Sequence, residues 1–347
     1  MPGVTQSIPK AVIFGCSGLA LTAEEAAFFA DANPLGFILF ARNCQTPGQV
    51  TSLVQALRAS VGRDDAPVMI DQEGGRVQRL SAPHWKKRPA QGMFAKMASE
   101  DLSVAIEATR LNAQLIAEDL IALGIDVNCL PLLDVPVPGA HDIIGNRAFG
   151  NDPELIATLG TAVIEGLALG GVMPVIKHIP GHGRSMADSH MSLPRVDASI
   201  DELRNTDFTP FKKLNNASWG MTAHIVYDAL DADQPATLSK KVISDIIRDE
   251  IGFQGFLVSD DVNMKALTGS IAANSVRALD AGCDAVLHCN GALDEMITVA
   301  AELPELNAKA LERFKSAKRN QPAKSDVDVD ALEVMFDRVT AKWRNWA

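Results

Sequence analysis

The chain has 347 residues, 47% of them hydrophobic, which is ample for one large core. Its formal net charge is −11 with no block of basic residues, which argues against a nucleic-acid partner. There is no run of 18 apolar residues and no apolar signal core near the first residue, so neither membrane spanning nor secretion is expected, and the expected compartment is the cytoplasm. The five cysteines (Cys16, Cys44, Cys129, Cys283 and Cys289) are odd in number and widely spread, which suits reduced thiols better than a disulfide framework.

Short apolar runs alternate with helical patterns from one end of the chain to the other. Residues 11–15 predict a strand, followed by a helix over 22–32 with Thr22 as its N-cap. Residues 36–40 predict a second strand, and Thr46-Pro47 opens a second helix. Residues 67–70 run into Asp71, and a long helical pattern follows over 99–123, ending at Gly124. Strands are then expected over 126–130, 172–176, 220–223, 256–259 and 285–287. The intervening helices are expected over 153–169, 203–214, 239–251 and 272–281. From Pro304 two more helices are expected, separated by a polar break at 321–325, with the stretch 326–346 packed on the outside.

About eight strand–helix units imply a parallel sheet, and that number favours closure into a barrel over an open sheet. The expected fold is α/β: a single-domain (β/α)₈ barrel over about 10–303 with a C-terminal helical extension over about 304–347. Asp71, Lys177, His178, His224, Asp260 and Asn290 all fall just past expected strand ends, which in a barrel converge on one mouth. No Rossmann or Walker glycine pattern is present.

The densest chemistry lies in KHIPGHGRSMADSH, residues 177–190, with one lysine, three histidines and an aspartate. Pro180, Gly181 and Gly183 exclude a continuous helix there. A solvated loop that happens to be rich in histidine is the alternative to a catalytic one. Asp188 and His190 have the spacing of a carboxylate that orients an imidazole. His178 and His182 resemble a metal pair, but without a helix they do not share one face. No metal or cofactor is expected.

Asp71-Gln-Glu73-Gly-Gly-Arg76-Val-Gln-Arg79 sets two acids and two arginines around a turn, suited either to hydroxyl-rich ligands or to an internal salt-bridge cluster. Arg147, between Gly145 and Gly150 and downstream of Asp134, is a clamp candidate or a surface arginine. In Ser259-Asp260-Asp261, the first aspartate is the better placed nucleophile, unless both merely cap a helix. His224 reads equally as a site residue or a buried structural histidine. Aromatics make up only 5% of the chain, too few for long sugar-ring platforms, so a short ligand held by polar clamps is expected.

Seven segments in order carry a resemblance: GFILFARN, DQEGGRVQRL, NRAFG, KHIPGHGRSMADSH, MTAHIVYDALD, GFLVSDDVNM and ALDAGCDAVLHCN. Over about residues 10–300 the chain resembles the family 3 glycoside hydrolases of the bacterial β-N-acetylhexosaminidase type. The resemblance implies a retaining exo-β-N-acetylglucosaminidase acting on a small amino-sugar or muropeptide substrate, in peptidoglycan recycling. It implies Asp260 as nucleophile and His190, paired with Asp188, as general acid/base. It implies Asp71, Arg79, Arg147, Lys177 and His178 as substrate-binding residues. A phosphorylase on the same scaffold, a non-catalytic amino-sugar binder and, third, a metal-dependent barrel hydrolase are the competing readings. The stretch 81–91, with Trp85, is less familiar and is expected to shape access to the site.

Overall fold

A computed structural model describes residues 7–186 and 193–346. Eight parallel strands close into a barrel in sequential order. They are β1 (Lys10–Phe14), β2 (Pro34–Leu39), β3 (Val68–Ile70), β4 (Val127–Asn128), β5 (Met173–Ile179), β6 (Trp219–Thr222), β7 (Phe256–Asp261) and β8 (Ala285–His288). β1 pairs with both β2 and β8, which completes the ring.

Local signals set most helix starts. Thr22 and Glu25 form a capping box on helix Ala23–Ala32: Thr22 Oγ1 accepts from Glu25 N (3.1 Å) and Glu25 Oε2 accepts from Thr22 N (3.0 Å). Pro47 opens helix Pro47–Ser60 behind Thr46. Asp101 caps helix Leu102–Ile121, inside the expected stretch. Helix Gln91–Ala98, which precedes it, has no side-chain cap and left no signal in the sequence.

Tertiary context changes several elements. β4 has only two residues, because Leu130 N turns back to Asn128 O (2.8 Å) and Pro131 has no N–H to continue a ladder. The helix expected over 203–214 is two, Ile200–Asn205 and Phe208–Lys213. At the break, Asp207 turns inward to Arg184 Nε (2.7 Å) and Thr206 Oγ1 (2.6 Å). Helix Val242–Glu250 is wound wide, with Ile251 N reaching Ile246 O (2.7 Å).

Inward side chains fill the barrel: Ile13, Ile38, Met69, Val175, Met221, Val258 and Leu287 belong to one buried cluster. Helix Ala308–Arg319 plugs the foot of the barrel. Its Phe314 ring lies 6.1 Å from Trp219 and 5.7 Å from Phe256. The second C-terminal helix, Val329–Thr340, is tied to the outside of helix Leu102–Ile121 through Arg88, which reaches Glu333 (2.8 Å) and Asp119 (3.3 Å). No helix among the described residues is long and apolar enough to cross a membrane.

Candidate active site

A cavity of about 330 Å³ opens at the C-terminal ends of the strands. Asp71, Arg79, Arg147, Lys177, His178 and Asp260 all line it. Asp188 and His190 lie outside the described residues.

Lys177 and His178 lie inside β5 rather than past its end. Neighbours in a regular strand face opposite sides. Here the register of β5 against β6 shifts between Ile176 and Ile179, and both side chains reach the cavity. β7 shifts in the same way against β8 between Val258 and Asp261, and both Asp260 and Asp261 line the mouth.

One wall is a charge cluster. Lys177, 2% exposed, donates to Asp71 Oδ1 (2.9 Å) and stands 2.6 Å from Glu73 Oε1. Glu73 takes Arg147 in a two-pronged bond, from Nη2 (2.8 Å) and Nε (2.9 Å). Arg79 Nη2 reaches Asp71 Oδ2 (3.3 Å) and its guanidinium stacks 5.3 Å from the Phe40 ring. Burial works against ionising Glu73, but Lys177 and Arg147 outweigh it and hold the carboxyl at about 2. Asp71 is likewise held well below the carboxylate range: Lys177 and Arg79 overcome its burial. The mouth cations are therefore met by ionised partners at neutral pH.

Glu73 was visible in the sequence as one of two acids in its loop, without anything to single it out. Its hairpin, Gln72–Gly74 with Val77–Gln78, aims it. Gly74 has φ +92°, and a Cβ there would come 2.3 Å from Pro89 O, so the hairpin turn demands glycine. Trp85 does not line the cavity. It is buried, and the segment around it braces the hairpin from behind through Gln78 Nε2 to Lys86 O (2.9 Å) and Gly75 N to Arg88 O (2.8 Å).

The other wall carries Asp260, partly exposed to the cavity. Its Oδ1 accepts from Asp261 N (2.8 Å), and among the described residues Oδ2 has no hydrogen-bond partner. Burial opposes its charge, but the neighbouring His224 and His178 win and lower its pKa. His224 is fully buried. It bonds Thr237 Oγ1 (2.7 Å) through Nδ1 and the Asp261 carbonyl (2.9 Å) through Nε2, which fixes the backbone that bears Asp260. Asn290 is engaged with Glu295 and is absent from the cavity lining. His182 lines the cavity, with its ring 5.5 Å from that of His178. Among the described residues no group of three or more His, Cys, Asp or Glu is arranged to hold a metal ion.

The arrangement suits polar capture of one small hydroxylated ligand beside an ionised carboxylate. Comparison with known proteins gives the family. A sequence family described as "Glycosyl hydrolase family 3 N terminal domain" matches residues 10–319. The chain is 36% identical over 304 residues to a "Beta-hexosaminidase" of Stenotrophomonas maltophilia, covering 86% of this chain and 89% of that protein. Among solved structures, NagZ from Neisseria gonorrhoeae in complex with N-trifluoroacetyl-D-glucosamine superposes with a TM-score of 0.84 at 32% identity, covering 97% of this chain and 98% of that one. A family 3 β-N-acetylglucosaminidase from Paenibacillus gives a TM-score of 0.86 at 28% identity, covering 99% of this chain and 69% of that one. The chain belongs to glycosyl hydrolase family 3 and is a glycoside hydrolase of its β-N-acetylhexosaminidase group.

Proposed function

We propose that the protein is a retaining exo-β-N-acetylglucosaminidase that works through a covalent glycosyl-aspartate, with Asp260 as the nucleophile. The observation that carries this reading is Asp260 itself: an ionised carboxylate in the cavity wall, with one oxygen occupied by a backbone N–H and the other without a hydrogen-bond partner among the described residues. In the first step its free oxygen attacks the anomeric carbon, and the bond to the leaving oxygen breaks. His190, oriented by Asp188, gives that oxygen a proton. In the second step the same imidazole takes a proton from water, which displaces Asp260 and restores both groups. An ordinary histidine, with a pKa of about 6.5, is roughly one quarter protonated at pH 7, and a nearby aspartate raises that fraction.

Asp71, Arg79, Arg147, Lys177 and His178 act as the clamps on the sugar hydroxyls and the 2-acetamido group. Their placement around one small cavity supports this role. The natural substrate would be an amino sugar on a muropeptide, released during cell-wall recycling in the cytoplasm. The chain acts as one catalytic domain.

A panel of aryl β-glycosides that differ only at the 2-position tests the substrate class. Strong preference for acetamido over hydroxyl is expected, and a preference for the glucoside would overturn it. Running the panel with and without phosphate separates hydrolysis from phosphorolysis, since only the latter yields a sugar 1-phosphate. His190→Ala should retain more activity on an aryl glycoside, which needs no proton to leave, than on a disaccharide. Equal losses would remove the acid/base role.

A further inference from the structure

Asp134 stands behind the cavity and does not line it. It is 0% exposed, on the loop that follows β4. Three donors converge on its carboxylate. Oδ1 accepts the backbone N–H of His178 (3.2 Å) and that of His182 (2.6 Å), and Oδ2 meets His178 Nδ1 (2.8 Å). Burial opposes its ionisation, but His178 and His182 hold its pKa at about 2. It is therefore a carboxylate at neutral pH, and a carboxylate only accepts. His178 Nδ1 must then carry a hydrogen. In the neutral ring this leaves Nε2 with a bare lone pair, on a side chain that lines the cavity.

The same aspartate also sits at the root of the loop that leads to Asp188 and His190. Beyond the bond to His182, Gly183 lies flat on the chain next to Asp134: a Cβ there would fall 2.1 Å from the Val135 carbonyl. Arg184, the next residue, is held by Asp207 and Thr206.

We propose that Asp134 is a positioning residue that locks His178 in the Nδ1–H tautomer, so that Nε2 accepts a hydroxyl hydrogen from the sugar, and that it pins the start of the acid/base loop at His182. The inference rests on the reading of His178 as a sugar clamp. It adds a direction to that contact: the substrate is the donor and the imidazole the acceptor.

Asp134→Asn is the informative variant. The amide oxygen keeps the two backbone N–H groups, which turns the amide NH₂ toward Nδ1. The ring then has to accept at Nδ1 and carry its hydrogen on Nε2, facing the sugar with a donor instead of a lone pair. Nitrogen-15 NMR of histidine-labelled full-length protein, with the His178 signals assigned through His178→Gln, reads the tautomer without reference to activity. Recorded at a pH where the ring is neutral, the wild type is expected to show a bare Nε2 and Asp134→Asn a bare Nδ1, and a wild-type ring that carries hydrogen on both nitrogens throughout the active pH range overturns Nε2 as an acceptor. KM for an aryl N-acetylglucosaminide should rise roughly tenfold or more in Asp134→Asn, beyond any fall in kcat. A wild-type His178 that carries its hydrogen on Nε2 overturns the role of Asp134, and this measurement stands even if the variant does not fold. A tautomer that flips as expected while KM stays unchanged overturns instead the sugar-clamp reading of His178.

Discussion

The barrel buries ionic clusters at both of its ends, and they are built differently. At the foot, Asp284 is shared by two arginines, Arg248 (2.9 Å) and Arg313 (2.9 Å), and its Oδ2 also accepts from Leu257 N (2.9 Å). Both of its oxygens are used, and they join three parts of the fold: the wide helix, the plug helix and β7. At the mouth, Lys177 lies between Asp71 and Glu73, and its third ammonium hydrogen is not taken up by that pair. Arg79 and Arg147 are each held by a carboxylate while lining the cavity. Buried ion pairs contribute little net stability compared with apolar packing, but losing one partner costs a great deal. The foot cluster is a cross-link. The mouth cluster instead brings Lys177, Arg79 and Arg147 to the cavity lining, each already paired with a carboxylate.

The sharpest test of this contrast is Asp260→Ala. Turnover of an aryl N-acetylglucosaminide should fall by about 10⁴-fold or more, while thermal unfolding stays within a few degrees of wild type. Turnover at the wild-type rate would end the reading of the mouth as catalytic. The reciprocal change is Asp284→Ala. It takes the carboxylate from two arginines and from one backbone N–H, so denaturant unfolding should report a loss of about 3–5 kcal/mol, with kcat/KM preserved under conditions where the protein is folded. A kinetic loss without a stability loss would break the comparison from the other side.

Arg79→Gln should have a smaller effect. Its side chain is 27% exposed and its bond to Asp71 is long (3.3 Å), so its ion pair should contribute below about 1 kcal/mol to folding. KM should rise about tenfold through the lost charged contact.

The smallest effect concerns pH. Burial pushes Asp261 up to about 6, against the opposing bond from Asn263 N and with the charge of Asp260 adding to the rise. The folded protein thus holds this proton more tightly than the unfolded chain. Stability from this group grows as pH falls from about 6 towards 4, and its ionised form costs stability above that range. Asp261→Asn keeps the acceptor for Asn263 N and Cys289 N and removes the titration. The change in melting temperature between pH 8 and pH 5 should shift by about 1–3 °C relative to wild type. Glu73 and Asp134 have the opposite sign and another window: both are depressed to about 2, so their contribution is present above about pH 4.5 and disappears as pH falls through 2. An unchanged pH profile in Asp261→Asn would place that titration elsewhere.

Much of this was legible in the residues. The eight strands are short apolar runs bounded by turns, and polar residues at their ends mark the mouth because every parallel strand of a barrel points the same way. That logic found Asp71, Lys177, His178 and Asp260, and it also selected Asn290, which the structure ties to Glu295 away from the cavity. It could not choose between Asp71 and Glu73, two residues apart in one loop. Lys177 meets both, and what distinguishes them is the arginine each one holds: Arg79 on Asp71, and on Glu73 Arg147, 74 residues away in the chain. The sequence marks Asp134 only as the acid upstream of Arg147, because its partners lie 44 and 48 residues away.

The sequence by itself determined the alternation of strand and helix, the caps and turns that punctuate it, and the chemical inventory of the mouth. These depend on period, propensity and residue type, which act over a few neighbours along the chain. Only the tertiary structure decided which charges meet, which oxygen of Asp260 is held by a backbone N–H and which nitrogen of His178 carries the hydrogen. Those depend on distances of about 3 Å between segments far apart in sequence, and on burial, which strengthens every such contact; neither is encoded in local pattern.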